Sequence, residues 1–281
     1  MTTTATQIPQ TWQAFRVDVS DGIADVQLTG PGKGNAMGPD FWRECPAVFR
    51  ALDVDDSVRV VILRGAGRCF SFGLDLLAMA GELGPLLQQG AGVRERERLL
   101  DVIGEMQAGP DAVFRCRKPV IAAIHSWCLG GAIDLVSACD VRLASQSAVL
   151  SVREVKVAMV ADVGTLQRLP HIIGEGHARE LAMTGKDIDA AHAKRIGLVN
   201  DVFADDDALL AGARAMARDI AANPPHVVQG VKRMMNARIA GSIADGLRQV
   251  AVWNAGFLAS MDLGEAMAAF AEKRSPKFEG R

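Results

Sequence analysis

KPVIAAIHSWCLGGAIDLVSACD, residues 118–140, decides the fold. After Pro119 the run to Ser126 is apolar and partly β-branched, which is how a strand buried on both faces reads. Gly130-Gly131 follows, and then a helix. Working outward, VRVVILR (58–64) is a second buried strand, preceded by a helical stretch at about 39–53. AFRVDVS (14–20) and IADVQLT (23–29) alternate around Asp21-Gly22, a two-residue hairpin turn. Downstream, DVRLAS (140–145), AVLSV (148–152) and LVNDVF (198–203) read as strands, and the chain from 205 onward is helical. Strand–helix repeats followed by a helical end predict an α/β protein, with a core over residues 1–203 and a C-terminal helical lobe over 204–281. Met234-Met235 reads as core of a late helix, and VGTLQRLP (163–170) as a short helical turn stopped by Pro170. The polar stretch 81–98 has little apolar surface to bury and is the expected mobile segment.

Bulk composition excludes several classes. A chain of 281 residues, 49% hydrophobic, is long enough for one substantial core or two lobes. A net charge of −2 gives no general basic field for nucleic acid or an anionic membrane. No segment reaches the roughly 20 apolar residues of a membrane span. Five cysteines, an odd number without a CxxC pair, predict reduced thiols and a cytoplasmic protein with no metal site. The first fifteen residues carry no Lys or Arg and no continuous apolar run, and the closing KFEGR is not a peroxisomal address.

The chemistry lies in three carboxylates in apolar or small-residue surroundings, Asp134, Glu154 and Asp162, and in two glycine loops. In CFSFGLDL (69–76) a strand ends at Gly73 and a helix is expected to begin near Asp75, so the N–H of Leu74 is an unpaired helix-start donor. The N–H of Gly131 stands in the same relation to the helix after it. Two such donors converging on one oxygen would stabilise an enolate. Each feature also has a plainer reading. The glycines permit a turn, Asp134 favours a helix dipole, Glu154 pairs with Arg153 or Lys156, and Asp162 caps a helix. His125 and Trp127, at the end of a buried strand, read as packing residues.

With FSFGLDL, HSWCLGGAIDLVSACD and SVREVKVAMVADVGTLQRLP together, the sequence resembles the enoyl-CoA hydratase/isomerase (crotonase) family. The resemblance runs from about residue 14 to the end and includes GNAMGPDFWRE (34–44), LAMTGKDIDAAHAKRIGLVNDVF (181–203) and AFAEKRSPKF (269–278). Within the family it is most similar to the branch that converts 3,5-dienoyl-CoA to 2,4-dienoyl-CoA, through Asp134 and, above all, Glu154 with Asp162. The resemblance implies a crotonase-like (ββα) spiral core. It places the thioester carbonyl between the N–H groups of Leu74 and Gly131, and acid–base chemistry on Asp134, Glu154 and Asp162. Glu154 falls near C2 and Asp162 near C6, with Asp134 orienting or sharing a proton with Glu154; the Glu154 and Asp162 roles are exchangeable.

The family pattern puts acyl-CoA contacts at Lys33, Asn35, Gly73, Leu74, Asp75, Leu76, Leu77, Gly131, Ala132 and Lys273. Coenzyme A is part of the substrate and no separate cofactor is implied. A homotrimer or homohexamer is. Ser126 stands where the family commonly has Gly, Trp127 is bulkier than usual, and Ala132 replaces a glycine while leaving the N–H of Gly131 intact. Two other readings remain: an enoyl-CoA hydratase or other acyl-CoA lyase, which needs a water between Asp134 and Glu154, and a non-catalytic or RNA-binding homologue, against which stands the lack of a basic stripe.

Overall fold

The computed structural model describes residues 12–30, 33–88 and 90–281. The opening segment read above for leader signals lies outside the described residues as far as Thr11. Strands β1 (Phe15–Ser20) and β2 (Ile23–Leu28) pair antiparallel, and the turn between them has positive φ at both Asp21 (52°) and Gly22 (77°). A tight hairpin whose twist matches its strands needs that pair of angles, and Asp-Gly supplies it.

The chain continues through α1 (Pro39–Val54), β3 (Val60–Gly65), α2 (Ala80–Leu83), a 3₁₀ turn at Gly84–Leu86 and α3 (Val93–Arg115) to β4 (Val120–Ile124). The apolar run at 118–126 is not one strand reaching the glycines. At Ser126, with φ 50°, the chain leaves the first sheet and starts β5 (Trp127–Leu129) in a second one. That left-handed turn is where an unbranched backbone is easiest, which accounts for a glycine preference there. After α4 (Gly131–Ser137) come β6 (Val141–Ser145) and β7 (Val149–Ser151), a 3₁₀ turn at Glu154–Val157, α5 (Thr165–Thr184), β8 (Ile188–Asp189), α6 (Ala190–Arg195) and β9 (Asp201–Phe203).

The first sheet runs β1-β2-β3-β4-β6-β9 and is parallel from β2 onward; the second runs β5-β7-β8. Side chains alternate along β3, so Val61 and Leu63 face one side, packed with α1 and α3, while Val60 and Ile62 face the other. There α7 (Asp206–Ala221) covers the sheet through Leu209, Ala213 and Ala217. Helices α8 (Pro225–Ala237), α9 (Ala240–Phe257) and α10 (Met261–Glu272) complete the chain. No helix among the described residues is long and apolar enough to cross a membrane.

Three local expectations are corrected. Helix α5 does not stop at Pro170; it runs on and breaks at Gly174 (φ 76°, ψ 159°). A proline removes one backbone donor, whereas only glycine adopts that angle pair without strain. Met234 and Met235 are each 65% exposed rather than core. The stretch 81–98 does bury apolar surface: Leu83, Leu86 and Leu87 pack on a cluster with Leu99, Ile103, Ala251, Leu258 and Leu263.

Candidate active site

The two glycine loops meet. The segment 71–74 is laced on one side to 34–37 and on the other to β5, through bridges Met37 to Leu74 and Ser71 to Cys128. The N–H of Met37 donates to the carbonyl of Gly73 at 2.7 Å, and the N–H of Leu129 to that of Ser71 at 3.1 Å. Gly73 has φ 79°, and a Cβ on it would come within 2.4 Å of the Leu129 carbonyl oxygen and 3.0 Å of the Gly131 nitrogen. A Cβ on Gly131 would lie 3.7 Å from the Leu74 nitrogen. The N–H groups of Leu74 and Gly131 therefore stand close together, and among the described residues neither donates to a backbone carbonyl. The helix expected near Asp75 begins only at Ala80; Asp75 instead caps a turn, its Oδ1 accepting from the N–H of Ala78 at 2.9 Å.

Asp134 lies in the first turn of the fully buried α4 and has no exposed surface. Its Oδ1 accepts from the N–H of Thr165, the first residue of α5, at 2.5 Å, so it caps a neighbouring helix rather than its own. Its Oδ2 is enclosed with no donor among the described residues, and so is Oε2 of Glu154. The two carboxyls are electrostatic neighbours, the Asp134 charge raising Glu154. Two neighbouring carboxyls with unpaired buried oxygens are accommodated when the pair holds one proton in common. Arg153 pairs with Asp187 and leaves Glu154 to the interior. Oε1 of Glu154 lies 3.4 Å from where a Cβ on Gly130, the residue before the Gly131 donor, would be.

Asp162 is the third carboxylate. It does not cap α5, whose preceding residue Gly164 offers no side chain. Its Oδ2 accepts from Nδ2 of Asn254 on α9 at 2.6 Å. Its backbone carbonyl accepts from Nε2 of Gln107 on α3 at 2.7 Å.

Burial raises all three acids. Asp134 is pushed up to about 7, against the opposing donation from Thr165. Glu154 is pushed well above the usual carboxylate range by burial and then by the Asp134 charge. Asp162 is raised to about 6 by burial, with the Asn254 hydrogen bond pulling it back. The set holds protons near neutral pH while one member stays easiest to ionise, which is the condition for moving a proton from one place to another.

A cavity of about 450 Å³ opens beside Glu154, between the 3₁₀ turn and α5, with Val152, Met159, Leu166 and Leu169 in its wall. It reaches Glu154 and Thr165 but not the two N–H groups, so it is a chamber behind the carboxylates and not the whole site.

Other expected contacts fare differently. Gly73, Leu74, Gly131 and the buried Ala132 belong to the loop junction, and Leu76 is half-buried on the turn beside it. Asn35 does not offer its amide to a ligand: it is buried, and Nδ2 donates to the carbonyls of Ala66, Cys69 and Phe70 at 2.8, 2.9 and 3.2 Å. It shapes the loop that carries Leu74. Lys33, Leu77 and Lys273 are exposed, Lys273 at the C-terminal end of α10. His125 packs as expected, Nε2 lying 3.0 Å from the Gly67 carbonyl oxygen; Trp127 is 37% exposed and is not a packing residue. Asn254 and Gln107 hydrogen-bond Asp162, and Thr165 hydrogen-bonds Asp134; none of the three carries a local sequence signal for that contact.

A family model described as enoyl-CoA hydratase/isomerase matches residues 18–281. A curated relative from Dictyostelium discoideum, named Delta(3,5)-Delta(2,4)-dienoyl-CoA isomerase, mitochondrial, is 42% identical over 95% of this chain and 92% of its own. One from Arabidopsis thaliana, named as the peroxisomal isomerase, is 39% identical over 96% and 97%. Among solved structures, an enoyl-CoA hydratase/isomerase from Pseudoalteromonas atlantica T6c superimposes with a TM-score of 0.82 at 25% identity, over 95% of this chain and all of that one. An enoyl-CoA hydratase from Bacillus anthracis gives 0.72 at 31% identity, over 96% and 100%. The crotonase-like fold is thereby shown. The cytoplasmic expectation is overturned, because these similar isomerases carry mitochondrial or peroxisomal names. Five buried free thiols show only that the fold needs no disulfide, which is no mark of one compartment.

Proposed function

The chain is an enzyme of the enoyl-CoA hydratase/isomerase family, and we propose that its reaction is the shift of a 3,5-dienoyl-CoA to the 2,4-dienoyl-CoA. The observation that carries this reading is the third carboxylate, Asp162, half-buried, held by Asn254 and near enough for its charge to act on both Asp134 and Glu154. Relatives about 40% identical that bear the isomerase name support it.

In this scheme the thioester oxygen accepts from the N–H groups of Leu74 and Gly131, which stabilise the charge that develops on it. Glu154, beside Gly130, takes the proton from C2 once the proton of the pair has passed to Asp134; in the exchanged assignment Asp162, the more readily ionised of the two, serves C2 and Glu154 donates at C6. The C2–H electrons form the C2=C3 bond, the C3=C4 pair moves to C4=C5, and the C5=C6 pair takes a proton from Asp162 at C6. Two acids are needed because C2 and C6 are too far apart for one fixed carboxylate. Coenzyme A belongs to the substrate, and no further cofactor enters. A hydratase needs a water between Asp134 and Glu154 and has no use for a third acid at the position of Asp162. We further propose that the chain works as a homotrimer or a pair of trimers.

The test is Asp162→Asn, near-isosteric, assayed with 3,5-dienoyl-CoA and with 2-enoyl-CoA by ultraviolet absorbance. Isomerisation is expected to fall by about 10²–10⁴-fold, the usual share of a general acid or base, with acyl-CoA binding close to normal. Retention of more than about a tenth of kcat would overturn the two-acid scheme.

A further inference from the structure

Asn254 sits on α9 with 2% of its surface exposed, in a face otherwise made of Leu247, Val250, Ala251 and Leu258. Burying an amide costs free energy unless its polar atoms are paired, and the apolar packing of this face requires none. Its Nδ2 donates to two groups of one loop: the Val160 carbonyl at 2.9 Å and Asp162 Oδ2 at 2.6 Å. A backbone carbonyl only accepts, so the NH₂ end of the amide is the end that faces the loop. Gln107 ties the same loop to the same helix, with Nε2 between the Asp162 carbonyl at 2.7 Å and the Leu247 carbonyl at 3.0 Å. Asp162 is thus held by side chain and backbone against α9, while Oδ1 takes no hydrogen bond from another residue among the described ones.

We propose that Asn254 is a positioning residue for Asp162: reaching in from the helical lobe, it fixes Oδ2 and leaves Oδ1 free to carry the transferred proton. This rests on the reading of Asp162 as one of the two proton-transfer acids. Asn254 itself touches no reacting atom. The ionisable groups around Asp162 are Asp134 from α4 and Glu154 from the 3₁₀ turn, with Arg168 of α5 acting on Asp134; the amides come from α3 and α9. Burial and the neighbouring carboxylates favour the protonated acid, and the amide donor favours the ionised one. Removing the donor therefore moves the titration of Asp162 upward.

The experiment compares Asn254→Leu, similar in volume but without a donor, and Asn254→Ser, polar but too short to reach, with the native enzyme. In either folded variant, the limb of the kcat–pH profile due to Asp162 is expected to rise by about one pH unit, and kcat at the optimum to fall about tenfold. KM stays within about threefold, since substrate binding is not the affected step. If Asp162 donates at C6 the limb that moves is the alkaline one; if the two acids exchange roles it is the acid one. A folded variant whose limb does not move, whatever its kcat, overturns the proposal, because a merely structural amide would lower rate without shifting a titration. Asp162→Asn separates the failures: if it stays active the reading of Asp162 is wrong, and if it is inactive while neither Asn254 variant moves a limb, only the role of Asn254 is wrong.

Discussion

Asp134, Glu154 and Asp162 were legible as a set because acids are rare in apolar sequence and each lay near a glycine or tight turn. Their partners were not legible. Asn254 is 92 residues from Asp162 and Gln107 is 55 away, and no local pattern encodes such distances. A signal for Asn254 did exist, since AVWNAGFL (251–258) places one amide in an apolar helix face. Placing these acids in the interior also has a stability consequence whose sign follows from linkage. Asp162 is raised from 3.8 to about 6 in the folded protein, so the native state binds more protons than the unfolded chain between those values. Stability from this group is therefore lost as pH rises through that window and stays lower above it. Asparagine does not titrate. Asp162→Asn, inactive by the scheme above, should unfold about 2–4 °C or more above the native enzyme at pH 8, with the gain shrinking towards pH 4. Thermal unfolding monitored by circular dichroism at both pH values checks this; an equal gain at both, or none at pH 8, would refute it. Activity and stability oppose each other at such a site because the titrating carboxyl that moves the proton is one the interior destabilises whenever it is ionised.

The elements that turn on the backbone show a similar division. The hairpin, the buried strands and the helical end follow from alternation, apolar runs and periodicity, and each stands near its expected place. Missed were the step from one sheet to the other at Ser126 and the continuation of α5 past Pro170. Both depend on which neighbour the chain packs against, which periodicity does not report. The junction of segment 71–74 with β5 is the element on which the proposed oxyanion site depends. Gly73→Ala adds a Cβ at positive φ and at 2.4 Å from the Leu129 carbonyl oxygen, so the loops must part. Since that moves Leu74 relative to Gly131, kcat should fall by about 10²–10³, the scale of losing one oxyanion donor. The main sheet, built elsewhere, should keep its far-ultraviolet signal. Near-native kcat in a folded Gly73→Ala protein would show that the two N–H groups do not act together.

At the scale of the molecule, the helical end presents more apolar surface than it covers. On α8, Val227, Val231, Met234 and Met235 are 50%, 55%, 65% and 65% exposed and fall at i, i+4, i+7 and i+8, one stripe along the helix. The opposite side is anchored: Lys232 is buried and donates to Asp140 Oδ2 at 2.7 Å and to the Lys118 carbonyl at 3.1 Å. The helix is therefore fixed on the core with its apolar face turned outward. That is why two methionines read as core from sequence stand in the open in a single chain. Trp253 and Phe257 on α9, in tilted contact with ring centroids 4.6 Å apart, and Phe270 on α10 are also more than half exposed. Contiguous apolar patches of this kind mark contact surfaces, and the trimer proposed above would give them cover. Val231→Glu with Met234→Glu puts two charges in the α8 stripe without touching Lys232, Asn254 or the carboxylates. Light scattering should give three chains or a multiple of three for the native protein and fewer for the double variant, with circular dichroism unchanged. Since α9 holds Asp162 through Asn254, a loosened helical end should also lower kcat for the dienoyl substrate. An unchanged assembly in the double variant would remove α8 from the interface, and a native monomer of full activity would remove the interface itself.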